Sequence, residues 1–176
     1  MFEVAIAHHH SSIGWLTLTA NHAGITKIEF GKIGKEFRSS PFLHQAIKEL
    51  DQYFAGDRRQ FTVPVSLTGT PFQKIVWNAL RKIPFGATPS YSDIGDSIGR
   101  PSVARAVGMA NNKNPVPIIV PCHRVVGRDG SLVGYAGGLN IKRQLLDIEL
   151  CGGSMNSLAF AREPDFMASP YIQLSH

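Results

Sequence analysis

A thiol beside an imidazole, closing a proline-stiffened apolar run, is the feature of this sequence that could do chemistry: Asn114-Pro115-Val116-Pro117-Ile118-Ile119-Val120-Pro121-Cys122-His123-Arg124-Val125-Val126. Pro115, Pro117 and Pro121 each fix φ and remove a backbone donor, which stiffens the approach to Cys122. A nucleophile works best at the end of a rigid element, and a neighbouring histidine can help turn a thiol into the reactive thiolate. Adjacent residues of an extended chain point to opposite sides, so a bridging water is expected between Cys122 and His123 rather than a direct contact. Taken alone, a Cys-His pair is more often a packed core cysteine than a nucleophile. The second cysteine, Cys151, lies in no motif and is expected to be passive. Two cysteines are too few for a disulfide framework or a cysteine-rich zinc site. His8-His9-His10 falls in a strand-like pattern whose neighbours face opposite ways, so no metal and no cofactor is expected.

Elements that could position this thiol are readable on both sides of it. Thr70-Pro71 forms an N-cap with proline at the first helical position. Ile75, Val76, Ala79, Leu80 and Ile83 then make an amphipathic stripe ended by Pro84 and Gly86. A short helix near Ser92–Ile98, a turn at Gly99-Arg100 and a second helix opened by Pro101 read as a helix-turn-helix. At 100° per residue, Val103, Ala106, Val107 and Ala110 share a face that should be buried. The opposite face offers Ser102, Arg105, Gly108, Met109 and Asn112: one long cation among mostly small groups. That suits close approach to a narrow groove better than base reading in the major groove. Downstream, Ile141, Leu145 and Ile148 form the apolar stripe of a helix that carries Glu149.

The N-terminal stretch has no chemical motif. Phe2–Ala7, Trp15–Ala20 and Ile25–Phe30 read as an antiparallel meander turned at Ser11–Gly14 and Asn21–Gly24. Leu43, Ala46, Ile47, Leu50 and Phe54 mark a helix stopped by Gly56, and Phe61–Val65 reads as a returning strand. The expected division is an α+β lobe over 1–66, a second domain over 67–150 and a tail over 151–176.

Hydrophobic residues make up 43% of the 176 and charged residues 18%, which excludes intrinsic disorder. No apolar run approaches the roughly 18 residues of a membrane span, and Met1–His10 lacks the make-up of a secretion signal. A cytoplasmic chain is expected, or a nuclear one if the source is eukaryotic, with no membrane partner. The net charge of +5 (18 Lys/Arg against 13 Asp/Glu) is uneven, with ten basic and five acidic residues between 67 and 150. Basic charge gathered in one half suggests nucleic acid, with ordinary surface lysines as the plain alternative.

Pro121–Val126, preceded by Asn114–Pro117, closely resembles the signature of the O6-alkylguanine-DNA alkyltransferases. So do Ser90-Tyr91, Arg105-Ala106-Val107-Gly108, and Tyr135-Ala136-Gly137-Gly138-Leu139 leading to Lys142 and Glu149. These blocks stand in the family's order across about residues 70–150. The resemblance implies a two-domain α/β protein: a ribonuclease-H-like α+β lobe, matched here only in element order, and a helical winged helix-turn-helix-like alkyltransferase domain. It implies irreversible transfer of an alkyl group from O6-alkylguanine in double-stranded DNA to Cys122, one group per molecule, by a monomer. O4-alkylthymine is left open as a second substrate.

By the same resemblance a Glu149–His123–water–Cys122 relay activates the thiol, Asn114 braces the nucleophile loop, and Tyr91 donates to N3 of the departing guanine. Arg105 would fill the gap left by a flipped nucleotide, with Ser102, Ala106, Gly108, Met109 and Arg124 also on DNA. Val125, Tyr135, Ala136, Gly137 and Lys142 would form the base pocket, with the carbonyls of Cys122 and Val125 accepting from the guanine amino group. Many family members carry serine where this chain has Ala136. The competing readings are a non-catalytic binder of alkylated DNA, which Cys122 argues against, and a cysteine hydrolase or redox-sensing regulator. A hydrolase needs an oxyanion hole, and a sensor usually has a second cysteine near the first.

Overall fold

The computed structural model describes residues 4–151. Its N-terminal part is an antiparallel meander of β1 (Ala5–Ser11), β2 (Gly14–Asn21) and β3 (Gly24–Phe30), with β2 in the centre. Ala5 pairs with Ala20 and Leu18 with Ile28, which brings Leu16, Leu18, Ala20, Ile25 and Ile28 to the buried side. Helix α1 (Pro41–Phe54), capped by the Ser40 hydroxyl, packs across this sheet. The C-terminal part holds α2 (Pro71–Leu80), α3 (Tyr91–Ser97), α4 (Ala104–Asn112), a 3-10 turn at Cys122–Arg124 and α5 (Leu139–Leu150). Among the described residues no helix is long and apolar enough to cross a membrane.

Several boundaries differ from the sequence reading, each for a physical reason. The first strand starts at Ala5 and runs through the histidines, which then part company: His8 Nε2 meets the Ile33 carbonyl at 3.0 Å, and His9 Nε2 lies 3.1 Å from Asp51 Oδ1. Phe61–Val65 is no strand; Pro64 has no N–H for a ladder, and only Val65 bridges to Ile25. In α2 the buried side chains are Val76, Trp77 and Leu80, because the Trp77 indole donates to the Ala110 carbonyl at 2.9 Å; this turns Ile75 out to solvent. Helix α4 begins at Ala104 rather than Pro101. Ser102 sits at φ 68°, a left-handed conformation that no right-handed helix can include. The buried stripe of α4 is accordingly Val107, Ala110 and Asn111, with Ala106 exposed.

One continuous core joins the two parts. Side chains of the sheet and α1 pack with Val76, Trp77, Val107, Val116, Val120 and Cys122. The Ile28 N–H on β3 donates to the Pro115 carbonyl at 2.9 Å, so the sheet holds the loop that leads to Cys122. The segment around Pro64 is fastened to β3 through Ile25 N–H to Pro64 O (2.9 Å) and Ser66 N–H to Ile25 O (2.8 Å). Gly24 makes that approach possible: it holds φ at +145°, and a Cβ there would strike the Pro64 carbonyl. Gly24→Ala is therefore expected to lose about 2 kcal/mol of stability, read as a lower thermal midpoint; an unchanged midpoint would contradict the close approach.

Candidate active site

Glu149, on α5, is the most heavily bonded side chain of the site. Its Oε1 accepts from His123 Nε2 at 2.7 Å, from the Tyr53 hydroxyl at 2.8 Å, and from Arg124 Nε and Nη2 at 3.1 and 3.0 Å. Its Oε2 accepts from Arg124 Nε and the Gly86 N–H, both at 2.9 Å. Burial alone would raise the carboxyl pKa, but these bonds and the positive charge beside it outweigh burial and hold it at about 2. Because an ionised carboxylate only accepts, the bond from His123 places the ring proton on Nε2. His123 Nδ1 then carries a lone pair, is buried, and has no protein partner. Burial pushes the imidazole pKa down against the pull of Glu149, so His123 is a neutral base.

Cys122 opens the 3-10 turn, where the chain coils tightly instead of running extended. Its thiol is buried, and burial pushes its pKa up to about 11 despite the opposing Asn114 hydrogen bond and Lys142 charge. The resting sulfur is thus protonated at neutral pH. Asn114 grips the preceding loop from both sides: Nδ2 donates to the Val120 carbonyl at 2.7 Å, and Oδ1 accepts from the Val116 N–H at 3.0 Å. Inside that grip Ile118 sits at φ +74°, a conformation that costs a β-branched residue about 1–3 kcal/mol. The prolines and Asn114 together hold a strained turn directly ahead of Cys122.

Lys142 is fully buried, and its ammonium donates to the Val125 carbonyl at 2.7 Å and the Val133 carbonyl at 2.9 Å. Burial lowers its pKa to about 8. It ties the segment after Cys122 to the loop that carries Tyr135, Ala136 and Gly137. Tyr91, half-buried at the start of α3, donates to the same Val133 carbonyl at 3.3 Å. Tyr135 packs on Phe30 with ring centres 5.7 Å apart, and its buried hydroxyl makes no hydrogen bond of good geometry, with the Cys122 thiol as a near neighbour; Ala136 is exposed. A Cβ on Gly137 would meet the Phe30 ring at 2.9 Å, so only glycine lets this loop lie against the sheet. The Cys122 carbonyl accepts from Asn111 Nδ2 at 3.4 Å and the Val125 carbonyl from Lys142; each oxygen has two lone pairs.

On α4 and its lead-in turn, Ser102, Arg105, Ala106 and Met109 are exposed, with Met109 at 68%. Gly108 is half-buried, and a Cβ there would lie 3.7 Å from the Tyr91 ring. The helix that offers Arg105 to solvent thus has Tyr91 at its flank and reaches Cys122 through Asn111. Arg124 corrects the expectation of a DNA contact. It is 5% exposed, bonded to Glu149, and its Nη1 donates to the Ile83 carbonyl at 2.6 Å, so it cannot reach a phosphate.

Sequence reasoning missed Tyr53, Gly86 and Asn111 in this site. Tyr53 lies one residue before Phe54 on α1, and a stripe that favoured Phe54 hid it; Phe54 is only half-buried. Gly86 reads in sequence only as a helix stop, and Asn111 sits at a helix end among other asparagine and lysine residues.

The depressed Glu149 pKa gives stability a pH dependence of definite sign. Unfolded, the carboxyl titrates near about 4.3; folded, at about 2. Its contribution is complete above the unfolded value and is lost as pH falls through that window. The thermal midpoint of the wild-type chain should fall between about pH 5 and pH 3 more steeply than that of Glu149→Gln, which starts lower. Equal slopes would contradict the ionised hub.

Comparison with known proteins bears on both parts of the chain. Residues 71–151 match the family model for the 6-O-methylguanine DNA methyltransferase DNA binding domain, and residues 5–67 the ribonuclease-like domain of the same proteins. The methylated-DNA–protein-cysteine methyltransferase of Methanosarcina acetivorans is 45% identical over 146 residues, 79% of this chain and 94% of that protein. The Mycobacterium bovis protein of the same name is 56% identical over 104 residues, 59% of this chain and 63% of its own length. A crystal structure of Mycobacterium tuberculosis OGT in complex with DNA superposes with a TM-score of 0.76 at 44% identity, covering 82% of this chain and 92% of that one. With both parts matched in order, the chain belongs to the methylated-DNA–protein-cysteine methyltransferase family.

Proposed function

We propose that Cys122 is the acceptor in the direct reversal of DNA alkylation, taking the alkyl group from O6-alkylguanine in a single turnover. The observation that carries this reading is a buried thiol next in sequence to a histidine whose Nε2 is locked by Glu149 and whose Nδ1 is free. The Cys122 sulfur attacks the alkyl carbon, the new S–C bond forms as the C–O6 bond breaks, and the electron pair leaves with guanine. The thiol proton passes to His123 Nδ1, through a water in the relay that the family resemblance implies. The Tyr91 hydroxyl supplies a hydrogen bond or proton to N3 of the leaving base. A thioether has no easy hydrolytic exit, so the protein is consumed.

A base inside a duplex is out of reach of a buried thiol and must be flipped out, at a cost of a few kcal/mol. The exposed face of Ser102, Arg105, Ala106, Gly108 and Met109 suits approach to the minor groove, with Arg105 occupying the space the nucleotide leaves. The partner is double-stranded DNA carrying the alkylated base. Tyr135, Ala136, Gly137, Val125 and Lys142 make the pocket: the Tyr135 hydroxyl makes no hydrogen bond of good geometry, and Lys142 fixes the loop rather than touching the base. In this reading α3 and α4 form the winged helix-turn-helix-like unit, the meander and α1 the ribonuclease-H-like lobe, and the domains divide as 1–66 and 67–150. The tail assigned to 151–176 lies outside the described residues except for Cys151, an exposed thiol past the end of α5.

Three variants on two substrates test the roles. Cys122→Ala should abolish transfer while binding to alkylated duplex persists. Arg105→Ala should slow transfer from duplex about a hundredfold, the equivalent of roughly 3 kcal/mol of lost support for the flipped state, and leave transfer from free O6-alkylguanine nearly unchanged. Tyr91→Phe should slow both. Residual transfer in Cys122→Ala would overturn the acceptor, and equal slowing of both substrates by Arg105→Ala would overturn the flipping role.

A further inference from the structure

Tyr53 belongs to α1, in the part of the chain with neither the nucleophile nor the exposed arginine helix. Yet its side chain is wholly buried, and its hydroxyl reaches across to donate to Glu149 Oε1 at 2.8 Å. The same oxygen lies 2.7 Å from His123 Nε2. The Tyr53 oxygen and His123 Nε2 are 3.4 Å apart, and both point donors at the one carboxylate. We propose that Tyr53 is a positioning residue for alkyl transfer: through Glu149 it sets the proton affinity of His123, so that the N-terminal lobe tunes the chemistry of a site it does not contain. This rests on the reading of His123 as the proton acceptor for Cys122.

The physical argument follows from sharing. Each donor on a carboxylate withdraws charge from it, and a carboxylate with fewer donors holds an imidazolium more tightly. His123 must be neutral to take the thiol proton. The groups that face it are Glu149 and Lys142 from α5, Arg124 and Cys122 on its own turn, and Tyr53 from α1. Glu149 favours the charged ring, while Arg124 and Lys142 oppose it. Tyr53 acts on the balance by weakening Glu149. Burial, reinforced by the charge of Glu149, pushes the Tyr53 hydroxyl well above its ordinary pKa, so it remains a donor throughout the working range. A solely structural role would lie in the ring, which packs against Phe54, Phe61 and Phe85 at 5.4, 5.4 and 6.1 Å. Phenylalanine keeps every one of those contacts and removes only the donor.

The test is the pH dependence of single-turnover transfer from free O6-alkylguanine, which needs no flipping, for the wild-type chain and Tyr53→Phe. The acid limb of the wild-type profile reports the loss of the His123 proton. In Tyr53→Phe that limb should move to higher pH by about one unit, so the rate falls by up to about tenfold at the acid end of the profile and stays close to wild type on the plateau above it. A ring-fluorinated tyrosine at position 53, a stronger donor of the same shape, should move the limb to lower pH. This second variant preserves packing even if Tyr53→Phe is too unstable to assay. Acid limbs that coincide with wild type, even at a uniformly lower rate, would overturn the proposal. Transfer that persists in Cys122→Ala would instead overturn the functional reading beneath it.

Discussion

One buried carboxylate organises this site. Glu149 gathers donors from α1, from the Gly86 turn after α2, and from the His123-Arg124 turn, while itself standing on α5. Removing such a group from water is expensive, and an ion pair with Arg124 alone would not reliably repay it. Here Oε1 accepts four hydrogen bonds and Oε2 two, so the charge is satisfied by donors that four chain segments bring together. The consequence is chemical as well as structural. A carboxylate so fully engaged is a poor base, and it orients His123 without taking its proton.

The nucleophile depends on that arrangement from the other side. Cys122 is buried and protonated, its pKa raised to about 11, so reactivity must be created when substrate arrives rather than stored as a thiolate. A protonated, enclosed sulfur is protected from casual alkylation and oxidation, which suits the single-use acceptor role proposed for it. Pro115, Pro117, Pro121 and Asn114 hold the turn before it against the strain at Ile118. Lys142 holds the segment after it to the Tyr135 loop. The sulfur therefore has little freedom to move toward substrate, and the base must be delivered to it.

Much of this was legible in the chain itself, because local rules and local spacing carried it. The Thr70-Pro71 cap, the three-stranded meander, the helix pair and the proline-framed Cys122 all depend on neighbours a few residues apart. Where the reading failed, tertiary contacts had overruled the local pattern. The family resemblance puts Arg124 on DNA, and only the distant Glu149 and Ile83 carbonyl show it to be internal. Phe61–Val65 looked like a strand until Pro64 and the β3 edge limited it to one bridge. Tyr53 could not have been found by spacing: 96 residues separate it from Glu149, and nothing near it in sequence marks a phenol as part of a relay.

The central claim is that Glu149 fixes His123 as a neutral ring with its proton on Nε2 and its lone pair on Nδ1. Nitrogen-15 NMR of the His123 imidazole in the wild-type chain at neutral pH reads this directly. The account predicts one protonated and one unprotonated ring nitrogen, with the proton on Nε2. A ring protonated on both nitrogens, or carrying its single proton on Nδ1, would contradict it.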